Sequence, residues 1–150
     1  MATGNKTGES MGRDQAPDRP LRVVLVEDEV VVSMTLRVLL QALQCDVVGS
    51  ARDADTGVDL AEALRPDLVI MDIGLRGKSG VEATREIMGL APTKVIVVTA
   101  YGDHRVQEAL DAGAKRVLLK PVLEEQLAQA IAEVTGREVG RASPGGSQRP

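Results

Sequence analysis

Residues that could carry out metal-assisted phosphoryl transfer follow four of the short apolar runs of this chain. Glu27 and Asp28 come directly after the first run, and Asp72 comes after the third. Thr99 follows the fourth run and Lys120 follows the fifth. A carboxylate can act as a nucleophile and carry a phosphoryl group as an aspartyl phosphate. The pattern therefore indicates a nucleophilic Asp surrounded by acids, a hydroxyl and a lysine, provided that the fold brings these runs together.

The acids in this set predict a bound cation. Two carboxylates about 4 Å apart repel each other by about 4 kcal/mol at an effective dielectric constant near 20, so facing acids need a compensating charge. The candidate ligands are oxygen atoms with no His or Cys beside them, and such ligands favour a hard ion such as Mg²⁺. Lys120 supplies a positive charge for a phosphoryl group, and Thr99 supplies a hydroxyl donor. Phosphoryl transfer depends mainly on alignment and charge neutralisation, which these groups can provide.

The elements that must position these residues are five short β-branched runs that alternate with segments of helical spacing. The predicted strands are 21–26, 47–50, 67–71, 95–98 and 116–119. Ser79 with Glu82 predicts a capping box for the third helix, Asp103 a cap for the fourth, and Gly136 the end of the fifth. The apolar stripes predict inward-facing side chains on the five helices: Val32, Leu36, Leu39, Leu40 and Leu43; Val58, Ala61 and Leu64; Val81, Thr84, Ile87 and Met88; Val106, Ala109 and Leu110; Leu123, Leu127, Ala130, Ile131 and Val134.

Five consecutive strand–helix units predict an α/β fold with a parallel sheet and right-handed crossovers. The chain is too short for an eight-fold barrel, so we expect a flavodoxin-like, doubly wound sheet with strand order 2-1-3-4-5. In that fold ligands bind beyond the carboxyl ends of strands one and three. The fold therefore predicts that Asp28 and Asp72 lie at one edge of the sheet.

Composition excludes several classes of function. The chain has no Phe, no Trp and one Tyr, which predicts an aliphatic core and removes the rings of a flavin site or a base-stacking surface. A net charge of −4 disfavours binding to nucleic acid. Cys45 is the single cysteine and there is no long apolar run, so we expect a cytoplasmic protein without a membrane segment. Residues 1–20 and 136–150 predict a disordered arm and tail around an ordered domain, 21–135.

Four strings in order, VVLVEDE, DLVIMDIGLRGKSG, VIVVTAYG and VLLKP, resemble the receiver domain of bacterial two-component response regulators. The resemblance implies that Asp72 is the phosphoacceptor and that Mg²⁺ is held by Asp28, by Asp72, by the main-chain carbonyl of Gly74 and indirectly by Glu27. It implies Thr99 as the switch hydroxyl and Lys120 as the phosphate-binding lysine. The Lys120–Pro121 bond would be cis.

The resemblance also implies partners: a histidine kinase or histidine phosphotransfer protein as donor, and a downstream protein that recognises the face made by the fourth helix and the fifth strand and helix. The chain would be a regulatory phosphoacceptor that assists its own phosphoryl transfer, not an enzyme. We expect no output module after the fifth helix, so relay, phosphate sink and protein binding all stay open as outputs.

Two positions depart from the family pattern. Val117 stands where members often carry an aromatic residue, which leaves Tyr101 as the one ring available, for a switch role, for restricting attacking water or for loop packing. Arg76 replaces a frequent Pro and, with Lys78, makes that loop basic, which we expect to affect the choice of partner.

An alternative function is a receiver-like scaffold that binds partners without phosphorylation, against which the intact acids and Lys120 argue. A flavodoxin-type electron carrier would need a Ser/Thr/Gly phosphate loop after the first strand, where the chain has VEDEV. A hydrolase with an Asp nucleophile would usually place that Asp after the first strand in a DxD arrangement. Neither pattern is present.

Overall fold

The computed structural model describes residues 19–139, which form one parallel sheet covered by helices. The elements are β1 (Arg22–Val26), α1 (Val30–Ala42), β2 (Asp46–Ala51), α2 (Ala54–Leu64), β3 (Leu68–Asp72), α3 (Gly80–Leu90), β4 (Lys94–Thr99), α4 (His104–Ala112), β5 (Arg116–Leu119) and α5 (Glu124–Thr135). The strand order is β2-β1-β3-β4-β5, and every neighbouring pair is parallel. The predicted flavodoxin-like fold is confirmed.

Three strands, β2, β3 and β4, end one residue later than the sequence predicted, and in β3 and β4 this places functional candidates inside the sheet. Asp72 is the last residue of β3 and pairs with Val98, and Thr99 is the last residue of β4 and pairs with Leu119. Both side chains are therefore held by a paired main chain rather than by a free loop. Asp72 is 5% exposed and Thr99 is fully buried.

The core is aliphatic and has two halves, because successive side chains of a strand point to opposite faces of the sheet. One face, with Val24, Val69 and Val97 at its centre, packs against α2, α3 and α4. The other face, with Leu25 and Ile70, packs against α1 and α5. Apolar residues on both faces of the inner strands explain why their sequences show no polar alternation.

Helix ends follow the predicted signals. Ser79 and Glu82 form a reciprocal capping box at the start of α3. The Asp103 carboxylate accepts a hydrogen bond from the main-chain N–H of Arg105 at the start of α4. Gly136 ends α5 in the left-handed conformation, at φ +76°. These three predictions are confirmed.

Two of the predicted inward-facing residues point outward instead. Leu110 is 37% exposed and Leu123 is 62% exposed. The buried positions of α4 are Ala109 and Ala112, and Leu110 lies about 100° around the helix from Ala109. Leu123 precedes the first turn of α5 in an extended conformation, so it does not share the inward face of that helix.

The ends of the chain were predicted to be disordered, and residues 1–18 and 140–150 lie outside the described residues. The residues next to them lie on the domain: Arg19 pairs with Asp67, and Val139 packs against the face that holds α1 and α5. Within residues 19–139, no helix is both long and apolar enough to cross a bilayer.

Gly80 lets α3 begin directly against the end of β3, and this yields a first prediction. A Cβ at Gly80 would lie 2.1 Å from the carbonyl oxygen of Asp72, whereas a Cβ at Gly89 in the same helix would meet no atom within 4 Å. We expect Gly80→Ala to lower the free energy of unfolding by about 1–3 kcal/mol through overpacking. We expect the matched variant Gly89→Ala to raise it by about 0.5–1 kcal/mol.

Urea unfolding followed by circular dichroism measures both values. Equal effects of the two substitutions would mean that the close approach at Gly80 is not a constraint on this structure.

Candidate functional site

Adjacent strands bring the predicted acids to the same edge of the sheet. β1 and β3 are hydrogen-bonded neighbours in which Val26 pairs with Met71, so Glu27 and Asp72 each follow a paired residue. One carboxylate oxygen from each of Glu27, Asp28 and Asp72 lies within 4.8 Å of the others. Side-chain exposure is 1% for Glu27 and 12% for Asp28, so these charges are largely removed from water. This cluster is the candidate functional site.

Lys120 lies between two of these carboxylates. Its Nζ is 2.9 Å from Oε1 of Glu27 and 3.5 Å from Oδ2 of Asp72, with Oε1 of Glu29 further away at 3.9 Å. The main-chain N–H of Lys120 donates to the carbonyl of Thr99, which attaches this residue to the end of β4. The Lys120–Pro121 bond is cis, as the resemblance implied.

Burial and the neighbouring charges shift the pKa values of Glu27 and Lys120. Burial raises the pKa of the Glu27 carboxyl to about 7, and the negative charge of Asp72 adds to that rise, while the close contact with Lys120 opposes it. Burial alone would lower the pKa of Lys120. The contact with Glu27 and the charge of Asp72 outweigh burial and raise that pKa above its ordinary value. The structure thus holds a charged lysine against partly compensated acids.

Asp28 has a cation of its own, which the sequence did not predict. Nε of Arg76 lies 3.4 Å from Oδ2 of Asp28, and the main-chain N–H of Arg76 points at the same oxygen from 3.3 Å. Arg76 was expected to make the β3–α3 loop basic and so to affect the choice of partner. Lys78, the second basic residue of that loop, bonds to Asp55 and Glu86 at 2.6 and 2.7 Å and so joins the first turn of α2 to the middle of α3. No pattern in the sequence indicated which acid either residue would contact.

A cleft of about 230 Å³ opens above the acids. Its lining residues are Asp28, Glu29, Asp72, Gly74, Arg76, Ala100, Tyr101 and Lys120. Oδ1 of Asp72 accepts a hydrogen bond of 2.8 Å from the main-chain N–H of Gly74, and Oδ2 faces Lys120. Gly74 also lies close to the Tyr101 ring: a Cβ at this glycine would be 3.2 Å from Cε2 of the ring. One oxygen of Asp72 is thus engaged by the main chain, while the other faces the cation.

Thr99 reaches the same edge of the sheet but is not among the residues that line the cleft. Its Oγ1 accepts a hydrogen bond of 3.0 Å from the main-chain N–H of Tyr101. The Tyr101 ring is 45% exposed, and the guanidinium of Arg105 stacks on it at 3.9 Å from the ring centre. Val117 is half-buried and packs on the face that holds α2, α3 and α4. The hydroxyl of Thr99 and the ring of Tyr101 are therefore linked through the loop that follows β4.

The donor set fits Mg²⁺. It consists of three carboxylates with the main chain of Gly74 beside them, so it offers hard oxygen ligands at an exposed cleft. No His or Cys contributes to the cluster, which disfavours zinc and other softer ions. Of the predicted set, the structure brings Asp28, Asp72, Glu27 and Lys120 together, places Gly74 beside them, and leaves the hydroxyl of Thr99 bonded to the following loop.

Comparisons with known proteins agree with this geometry. A family model described as "Response regulator receiver domain" matches residues 23–132. Protein CcdB of Bacillus subtilis is 38% identical over 117 residues, an alignment that covers 77% of this chain and 98% of that protein. Transcriptional regulatory protein PdtaR of Mycobacterium tuberculosis is 37% identical over 126 residues, which cover 83% of this chain and 60% of that protein.

A solved receiver structure has the same fold. The response regulator domain of Thermotoga maritima CheB superposes with a TM-score of 0.73 at 31% identity, over 79% of this chain and 98% of that one.

The crowded carboxylates yield a second prediction. Asp72→Asn removes one of three neighbouring negative charges and keeps an acceptor for the N–H of Gly74. In EDTA we expect this variant to be more stable than the wild type by about 0.5–2 kcal/mol, as is usual when a strained functional group is relieved. Mg²⁺ should stabilise the wild type and have little effect on the variant, because it binds only the native site.

Thermal unfolding with and without Mg²⁺ measures both effects. Asp46→Asn makes the same chemical change at an exposed residue at the start of β2, which is the end of the strands away from the site. We expect this variant to leave the response to Mg²⁺ unchanged. Lower stability of Asp72→Asn in EDTA would contradict the charge argument.

Proposed function

This chain belongs to the family of response regulator receiver domains of two-component systems, and we propose on that premise that Asp72 accepts a phosphoryl group in the presence of Mg²⁺. One observation supports the proposal above others: Oδ2 of Asp72 faces Nζ of Lys120 at 3.5 Å inside the cluster that Glu27 and Asp28 complete. These groups come from three distant parts of the chain. A plain helix cap or a solvated acidic turn would not require that convergence.

Each residue has a distinct part in the reaction. A carboxylate oxygen of Asp72 attacks the phosphorus atom of a phosphohistidine, the bond from phosphorus to the imidazole nitrogen breaks, and the imidazole leaves. Lys120 neutralises charge on the phosphoryl oxygens from one side. Asp28, Asp72 and the carbonyl of Gly74 would hold Mg²⁺ directly, and Glu27 would hold it indirectly. The ion supplies positive charge to the oxygens of the transferred group.

The signal would leave the site through Thr99. Its hydroxyl now accepts a hydrogen bond from the N–H of Tyr101, and a phosphoryl group on Asp72 offers it a stronger, charged acceptor. Rotation of Thr99 toward that group would release the loop that leads into α4. We propose that this change alters the face formed by α4, β5 and α5, which a downstream protein recognises.

The proposed donor is a histidine kinase or a histidine phosphotransfer protein. The chain acts as a phosphoacceptor that assists its own phosphorylation and dephosphorylation, rather than as an enzyme with a separate substrate. Relay, phosphate sink and allosteric output all begin with this same reaction. The predicted cytoplasmic location and the predicted lack of nucleic-acid binding belong to the proposal and stay predictions.

Labelling by acetyl phosphate gives a third prediction. With Mg²⁺ we expect one acid-stable, base-labile and hydroxylamine-sensitive adduct on the wild type, visible by intact-mass spectrometry, because an acyl phosphate has that chemistry. Asp72→Asn should remove the adduct, and the control Asp46→Asn should keep it. Full labelling of Asp72→Asn would move the phosphoacceptor elsewhere. No labelling of the folded wild type would favour a scaffold that works without phosphorylation.

A fourth prediction concerns Lys120. Lys120→Ala removes the cation from the buried acids but leaves both core faces intact, so we expect the circular dichroism spectrum of the wild type. The variant should still be labelled on Asp72, and the amide NMR shifts of α4 and β5 should no longer respond to labelling. A normal response of those shifts in Lys120→Ala would contradict the assigned role of the lysine.

A further inference from the structure

Two cations face the three carboxylates of the site, and they divide the acids between them. Lys120 contacts Glu27 and Asp72, at 2.9 and 3.5 Å. Asp28 is contacted instead by Arg76, at 3.4 Å. Among the ion pairs of residues 19–139, Asp28 has this one guanidinium within reach of its carboxylate. Arg76 is thus the second counter-charge of the cluster and the sole one for the principal metal-ligand candidate.

Arg76 approaches the carboxylate from the solvent side. Its side chain is 85% exposed, whereas that of Asp28 is 12% exposed. The main-chain N–H of Arg76 points at the same Oδ2 as its Nε, so the loop itself bends over the acid. Gly77, at φ +79°, supplies the turn that carries the chain away again. The guanidinium therefore lies over the mouth of the cleft, held by a contact that water and salt can weaken.

We propose that Arg76 is an internal competitor of the divalent cation for Asp28 and so sets the concentration of Mg²⁺ at which this domain becomes competent for phosphorylation. The inference rests on the proposed function, since it assumes that Asp28 is a metal ligand. The guanidinium of Arg76 lies on Oδ2 of Asp28, so an ion that binds this carboxylate shares it with a second positive charge, and the two charges repel each other. Binding of the ion is therefore favoured when the guanidinium moves away from the carboxylate.

Arg52 provides a matched control for this inference. Its Nη2 lies 3.5 Å from the main-chain carbonyl of Asp28 and does not contact the carboxylate. Arg52→Ala and Arg76→Ala remove the same charge from neighbouring places around one residue. Only the second removes a competitor from the oxygen that would bind metal. A general change in the local field would affect both variants alike.

The test is a Mg²⁺ titration of the unphosphorylated full-length chain. Tyr101 is the single tyrosine in a chain without Trp and lines the same cleft, so its fluorescence reports on the site, and the amide NMR shift of Gly74 gives an independent reading. We expect Arg76→Ala to bind Mg²⁺ with a Kd about 2- to 5-fold lower than the wild type, which is the range for loss of one exposed ion pair. Arg76→Lys and Arg52→Ala should stay within about 2-fold of the wild type.

Salt provides a second readout. The ratio of the wild-type Kd to the Arg76→Ala Kd should fall toward one as NaCl is raised from about 0.05 M to about 1 M, because an exposed pair is screened. An equal or weaker affinity of Arg76→Ala would overturn the inference, and so would an equal gain in Arg52→Ala. If the wild type itself bound no Mg²⁺, the proposed function would fail together with it. Binding by the wild type with no effect of Arg76→Ala would remove the inference alone.

Discussion

Mutual repulsion of three buried or half-buried carboxylates is the constraint on which the rest of this site depends. The parallel pairing of β1 with β3 holds the carboxylates of Glu27, Asp28 and Asp72 close together. Positive charge lowers the energy of such a cluster, and the chain supplies it with Lys120, the residue after β5. The same deficit of positive charge would favour a metal ion, so the repulsion that costs stability is also what the proposed binding of Mg²⁺ would relieve.

The aliphatic core keeps this unfavourable arrangement in place. β1, β3 and β4 are buried on both faces, so their ends cannot separate without opening two layers of packing. Gly80 allows α3 to begin in contact with the carbonyl of Asp72, which leaves little room for the end of β3 to move. Only the loops that follow the strands are free to rearrange. Under the proposed function, a change of charge at Asp72 would therefore act through Thr99, Tyr101 and the loop toward α4.

The positions of Asp72, Asp28 and Lys120 could be predicted because they depend on strand order, and strand order follows from repeated βα units. The contacts of Arg76 and Thr99 could not, because they depend on loop dihedral angles that hydrophobic periodicity does not encode. Leu123 shows a third kind of limit. It has the right spacing for the inner face of α5, but it lies before the first helical turn, where that spacing has no meaning.

Tyr101 shows how this chain can work without the aromatic residue that receivers often carry on β5. Val117 has no ring to swing inward, so under the proposed function a change at Thr99 would pass along the main chain, starting at its hydrogen bond with the N–H of Tyr101. The next residues on that route are Tyr101, with Arg105 stacked on its ring, and Asp103, which bonds to Arg105 and caps α4. Loss of the Thr99 hydrogen bond would thus disturb a contact that holds the start of α4. The position of the ring differs from the family pattern, but under the proposed function the same helix would receive the signal.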